Sequence, residues 1–166
     1  MVDSVYHYFK AEKKDSAYCI FMGLFSLVLM VYFLAKGTPF YNGISYAFAA
    51  IGVIQLVVGG MVYLRSDMDI VSISYFIQKD FDMIKDKEIP RMEMHVKNLA
   101  LYFKAEIGCI ALGLMLWFFC PSLSLGKGIG IGLVIQSSMM CFLDYLAEQR
   151  GKVYLDFLKS LLKQEP

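Results

Sequence analysis

Four apolar blocks, each near twenty residues long, constrain this chain more than anything else in it. They cover residues 17–34, 44–64, 99–120 and 129–146. Crossing the hydrocarbon core of a bilayer takes about 20 mostly apolar residues, and each block meets that length. A buried helix of a water-soluble protein needs one apolar stripe, whereas these blocks are apolar on all sides. The apolar set makes up 58% of the chain and charged residues only 19%, against about 25% charged in soluble domains. The blocks predict an all-α integral membrane protein, a single domain of four transmembrane helices over residues 1–166. The first block is too long and aromatic-rich for a cleavable signal peptide, and a second span follows it at once.

Charge placement sets the expected orientation. Of the sixteen Lys and Arg residues, fourteen flank the blocks on the side of the two termini, and only Lys36 and Lys127 lie on the other. Basic residues stay cytoplasmic, so both termini are expected inside, in a plasma membrane of the bacterial inner-membrane type. All fifteen acidic residues share that side, giving it a net charge of −1 (fourteen basic against fifteen acidic). Such a balance argues against a polybasic lipid-binding surface and against nucleic acid.

Two loops turn the spans back. Gly37 suits a left-handed helix cap and Pro39 cannot continue a helix, while Pro121 stops the third span. Between the hairpins, residues 66–98 form the one sizeable cytoplasmic segment. Ile70, Ile73, Ile77, Phe81 and Ile84 recur there at helical spacing, predicting an amphipathic helix over about 67–87, either separate or continuing the second span, broken at Pro90. Apolar residues alternate over 89–96, which leaves a strand as the competing reading there. After residue 146, Tyr154, Leu155, Leu158, Leu161 and Leu162 make an apolar stripe opposite Lys152, Asp156, Lys159 and Lys163. An amphipathic helix over about 147–163, lying on the inner leaflet or packed on the middle segment, is expected.

The five letters YFKAE occur twice, at 8–12 and 102–106. Val-Ile-Gln also occurs twice, ending at Gln55 and Gln136, and each copy precedes a Tyr-Leu pair, 63–64 and 145–146. Both glutamines lie roughly 14–15 Å from the cytoplasmic span ends at 1.5 Å per residue, near the bilayer centre. The pattern predicts two hairpins related as a parallel repeat about an axis along the membrane normal. The spacings differ, with the motifs 94 residues apart and the glutamines 81, so the first hairpin must carry insertions.

Polar residues inside the spans are few, and each is a candidate. A mid-membrane amide must find a partner, so Gln55 and Gln136 are expected to bond each other or to line a polar path, with Ser137 and Ser138 beside them. Arg65, Lys104, Glu106 and Asp144 lie near the inner span ends, where they are expected to form an ion-pair network or to handle protons or cations. Gly126, Gly128, Gly130 and Gly132, with Gly59 and Gly60, have the small-residue spacing that lets helix backbones approach.

Catalytic patterns are missing. His7 and His95 stand alone, without a second His or Cys at metal-ligand spacing, and Cys19, Cys109, Cys120 and Cys141 form no C-x-x-C pair. DFDMIKDKE lacks the glycine and regular oxygen ligands of a calcium loop. GKGIGIG has no preceding strand, so it is not a phosphate loop. No cofactor, no metal and no enzymatic activity are expected. The general layout is similar to that of small bacterial inner-membrane proteins, including immunity proteins that guard against pore-forming toxins. That likeness implies an architecture and carries over no residue. The expected function is intramembrane protein–protein contact, as an immunity or accessory protein or an oligomeric scaffold. Its partners would be the lipid bilayer and a second copy, another membrane protein or a toxin. The alternative is a small channel or transporter with a path lined by the glutamines.

Overall fold

A computed structural model describes residues 2–79 and 82–162. Four helices make up the fold: α1 (Val2–Leu34), α2 (Pro39–Lys79), α3 (Ile89–Phe119) and α4 (Leu125–Leu162). Each is long and apolar enough to cross a membrane. Among the described residues there is no strand, and residues 89–96 are the first turns of α3. Phe81 and Lys163, assigned above to apolar and polar stripes, lie outside the described residues.

Loop chemistry makes the two hairpins. After α1 the chain turns through Gly37 at φ 68°, and Thr38 then starts α2. The Thr38 carbonyl accepts from Asn42 N–H at 2.9 Å, while Pro39 takes the first helical position, where no N–H is needed. Before Pro121, Cys120 is forced extended (ψ 146°), which ends α3. Ser124 then caps α4, its Oγ accepting from Lys127 N–H at 3.3 Å.

The hairpins α1/α2 and α3/α4 join along a central α2–α4 contact. Glycines set all three crossings. Between α1 and α2, a Cβ added to Gly23 would fall 2.9 Å from the Gly52 carbonyl oxygen, and one on Gly59 would meet the backbone of Ser16. Between α3 and α4, a Cβ on Gly113 would fall 2.7 Å from the Gly130 carbonyl oxygen. Between α2 and α4, a Cβ on Gly128 would overlap the Phe40 carbonyl oxygen, and one on Gly132 would crowd Ala47. Without side chains at these points, the backbones approach closely and dispersion holds them.

Of the two readings of the helix after residue 66, the continuous one holds, and the C-terminal helix also continues a span. Nothing interrupts α2 near Leu64: Ser66 is buried and returns its hydroxyl to the Val62 carbonyl at 2.8 Å, so the helix runs on to Lys79. The stretch 147–162 is likewise the far half of α4, packed against the middle segment. A π-helical turn, Ile84–Glu88, leads into α3, and Pro90 lies in the first turn of that helix. Past the spans, the four helix ends build a second core from Val5, Phe9, Ile73, Ile84, Met92, Tyr154 and Leu158, among others. Tyr8 stacks on Tyr154 with ring centroids 4.2 Å apart.

Candidate functional site

Polar side chains inside this bundle lie in three layers. The first is at the level of the glutamines. Gln55 Nε2 on α2 donates to Gln136 Oε1 on α4 at 3.3 Å. Gln136 Nε2 in turn donates to the Ser26 hydroxyl of α1, which donates to the Met22 carbonyl at 2.8 Å. All three side chains are buried, at 0, 2 and 3% exposure. The chain of bonds links three helices and leaves only Gln55 Oε1 without a partner. Cys19 Sγ reaches the Gln55 backbone carbonyl at 3.5 Å, further tying α1 to α2. Ser137 is buried beside the layer, whereas Ser138 points outward. Ser26 is absent from the residues singled out by sequence. Its signal was a lone hydroxyl inside an otherwise apolar run.

The second layer is a pair of acids in the seam between α3 and α4. The carboxyl groups of Glu106 and Asp144 are within hydrogen-bonding reach of each other. Among the described residues no cation pairs with either, and Glu106 Oε2 is buried with no partner among them. Lys104 is exposed and forms no ion pair among the described residues.

The third layer is a charge network below the span ends. Arg65 reaches Glu12 at 3.5 Å and Asp69 at 3.0 Å. The Asp69 contact is out of line for a hydrogen bond, so Arg65 Nε remains unbonded although close. Arg91 grips Glu88 with two bonds of 2.8 Å and reaches Asp69 at 3.0 Å. Glu88, only 2% exposed, also faces the Tyr154 hydroxyl at 3.4 Å. His95 Nε2 lies 3.8 Å from Glu12 Oε1. Further pairs, Lys13–Asp67 at 2.6 Å and Arg150–Asp15, tie α1 to α2 and to α4.

Burial governs titration in this layer. It pushes the Glu12 carboxyl up, against the pull of Arg65 and Arg91. It drives His95 down to about 4, and both arginines add to that shift. The Tyr8 and Tyr154 hydroxyls are raised by burial first and by nearby carboxylates second.

The four charged residues grouped by sequence are therefore not one cluster, and Lys104 joins none. Arg65 belongs to the network with Glu12 and Asp69, while Glu106 and Asp144 stand apart from it without a cation. Counting along the helices gives their position along the bundle but not the direction each faces. Of the small residues, Gly59, Gly128, Gly130 and Gly132 lie at helix crossings and Gly126 abuts Cys120, whereas a Cβ on Gly60 would meet open space.

Among the described residues, no group of three His, Cys, Asp or Glu is placed to hold a metal ion. No family model matches the chain, and no curated protein or solved structure is significantly similar to it.

Proposed function

We propose that this chain is a non-enzymatic inner-membrane protein that works by protein–protein contact within the bilayer, with both termini cytoplasmic. An immunity or accessory protein and an oligomeric scaffold are examples of this mode of action. The observation that carries this reading is the closed middle layer. Gln55, Gln136 and Ser26 spend their hydrogen bonds on one another across three helices. Glycine crossings press the backbones together on either side of them. The polar groups best placed to line a path are occupied in holding the bundle shut, so recognition is left to the outer faces. The parallel-repeat reading has the same support, since the two glutamines of the repeated Val-Ile-Gln meet at the α2–α4 contact.

A second reading rests on the Glu106–Asp144 pair. Carboxyl groups in the membrane without a compensating cation are functional sites by default, and these would take part in moving a proton or a cation.

Flux into liposomes separates the two. The contact reading expects no ion or solute flux from the purified protein, and none from Gln55→Leu/Gln136→Leu. It also expects a partner captured by crosslinking in native membranes. Flux that disappears in the glutamine double variant, or in Asp144→Asn, overturns it in favour of transport.

A further inference from the structure

Helix α2 carries one apolar stripe more than a single copy of the chain can use. Beyond the span, Ile70, Ile73 and Ile77 face the second core, with Ile73 at 3% exposure. A different stripe runs along the uncovered side: Val57, Met61, Leu64, Met68, Val71 and Tyr75. Every one is between 53 and 72% exposed. Lipid tails cover the upper part, but they do not reach the lower part. Counted from Gln55, Met68 lies about 20 Å and Tyr75 about 30 Å from the midplane, while hydrocarbon ends at about 15 Å. Three large apolar side chains thus project beyond the hydrocarbon on a helix whose opposite side is already packed.

Their spacing is the second observation. The steps alternate 4, 3, 4, 3 and 4 residues, and Ile54 and Ala50 continue the alternation backward. Alternating steps of four and three are the a/d spacing of a heptad, the seam of a left-handed coiled coil. No charged residue occupies a seam position, and Gly60, with open space around it, flanks Met61.

We infer that α2 pairs with α2 of a second copy of this chain, in a parallel, two-fold coiled coil that starts in the membrane and continues beyond it. Identical chains in one bilayer have the same orientation and the same depth, so Leu64 faces Leu64 and Val71 faces Val71 without any register search. Each seam residue leaves on the order of 100 Å² uncovered, and with its flanks the stripe offers about 700–800 Å² per chain, the size of a standard stable interface. This inference rests on the contact reading and names its partner and surface.

Val71→Cys and Met94→Cys, both at exposed positions, give the first measurement. Oxidation in native membranes should yield disulfide dimers at Val71→Cys at least ~10-fold above Met94→Cys, because the seam holds its two thiols at high effective concentration. Energy transfer between labelled copies in liposomes gives the second. Met68→Glu/Val71→Glu alters only exposed side chains and sets like charges across the seam, so the protein density needed for pairing should rise at least ~10-fold. Equal crosslinking at the two cysteine positions overturns the inference, as does pairing unchanged in the double variant. Crosslinking of Val71→Cys to a different protein also overturns self-pairing while leaving the contact reading intact. The contact reading itself is tested separately, by the flux measurement described above.

Discussion

The two copies of YFKAE begin in the same five residues and end in different chemistry. In the first hairpin, Glu12 meets Arg65 of α2 within a network that also holds Asp69, Arg91 and Glu88. In the second, Glu106 meets another acid, Asp144 of α4, and no cation. Depth explains the difference. Tyr8 of the first copy stacks on Tyr154, whereas Phe103 of the second lies against Tyr145. Those partners are nine residues apart on α4, which is about 14 Å along the helix. The first copy therefore lies further along the bundle, within the charge network, and the second lies where the apolar block begins. One motif supplied the residue types, and the length of helix above it decided what they touch.

The largest break in this comparison comes from Arg91. It supplies the two 2.8 Å bonds to Glu88, which is almost wholly buried. Arg91→Met leaves that carboxylate uncompensated, and removing one partner of a buried pair costs about 3–5 kcal/mol. Arg91 is itself a third exposed, so the low end, about 3 kcal/mol, is expected. Unfolding of purified protein in mixed detergent should show a correspondingly earlier transition. A loss under about 1 kcal/mol, the scale of an exposed pair, would mean the network is a solvated surface and not a clamp.

The next effect is one of pH. His95 has its pKa lowered to about 4 by burial and by Arg65 and Arg91, from an unfolded value near 6.5. Between those values the unfolded chain binds more protons, so stability rises with pH. This contribution is fully present above about pH 6.5 and is lost as pH falls toward about 4, amounting to about 2 kcal/mol after discounting for partial exposure. Glu12 acts oppositely, since burial raises its pKa and its folded form takes up a proton more readily as pH falls. Comparing His95→Gln with the parent isolates the histidine. The variant should show a flatter loss of stability on acidification from pH 6.5 to 4.5, and equal slopes would remove His95 from the network's titration.

Much of this architecture was legible in the chain, but only along one coordinate. The apolar blocks gave four spans, and Gly37, Pro39 and Pro121 gave the two turns, because both are properties of local sequence. Depth was legible too: counting from Tyr63-Leu64 and Tyr145-Leu146 placed Gln55 and Gln136 at one height, where they are hydrogen-bonded. Azimuth was not. Arg65 and Asp144 have similar heights, yet one faces α1 and the other faces α3. Continuity was half legible. The polar stretch after Leu64 reads as an amphipathic helix, separate or continuous with the second span, and no residue there breaks α2, since Ser66 bonds its own backbone. Ser26 was the quietest signal, a single hydroxyl whose weight comes from completing the hydrogen bonding of Gln136.

The smallest effect is the most diagnostic of the difference between the copies. Asp144→Asn replaces one acid of the pair with an isosteric amide, whose N–H can donate to Glu106. Two carboxyl groups in contact repel when both are charged, and the amide removes that repulsion while adding a donor. The expected change is a gain of about 0.5–1.5 kcal/mol, the range of one net hydrogen bond. Its counterpart in the first copy, Glu12→Gln, takes the carboxylate that lies against both Arg65 and His95 and should destabilise. Opposite signs from two conservative substitutions, read in the same unfolding assay, would establish that the first glutamate serves the fold and the second strains it. A destabilised Asp144→Asn would instead mean that the acid pair holds something its own charge requires, and the transport reading would gain at the expense of the contact reading.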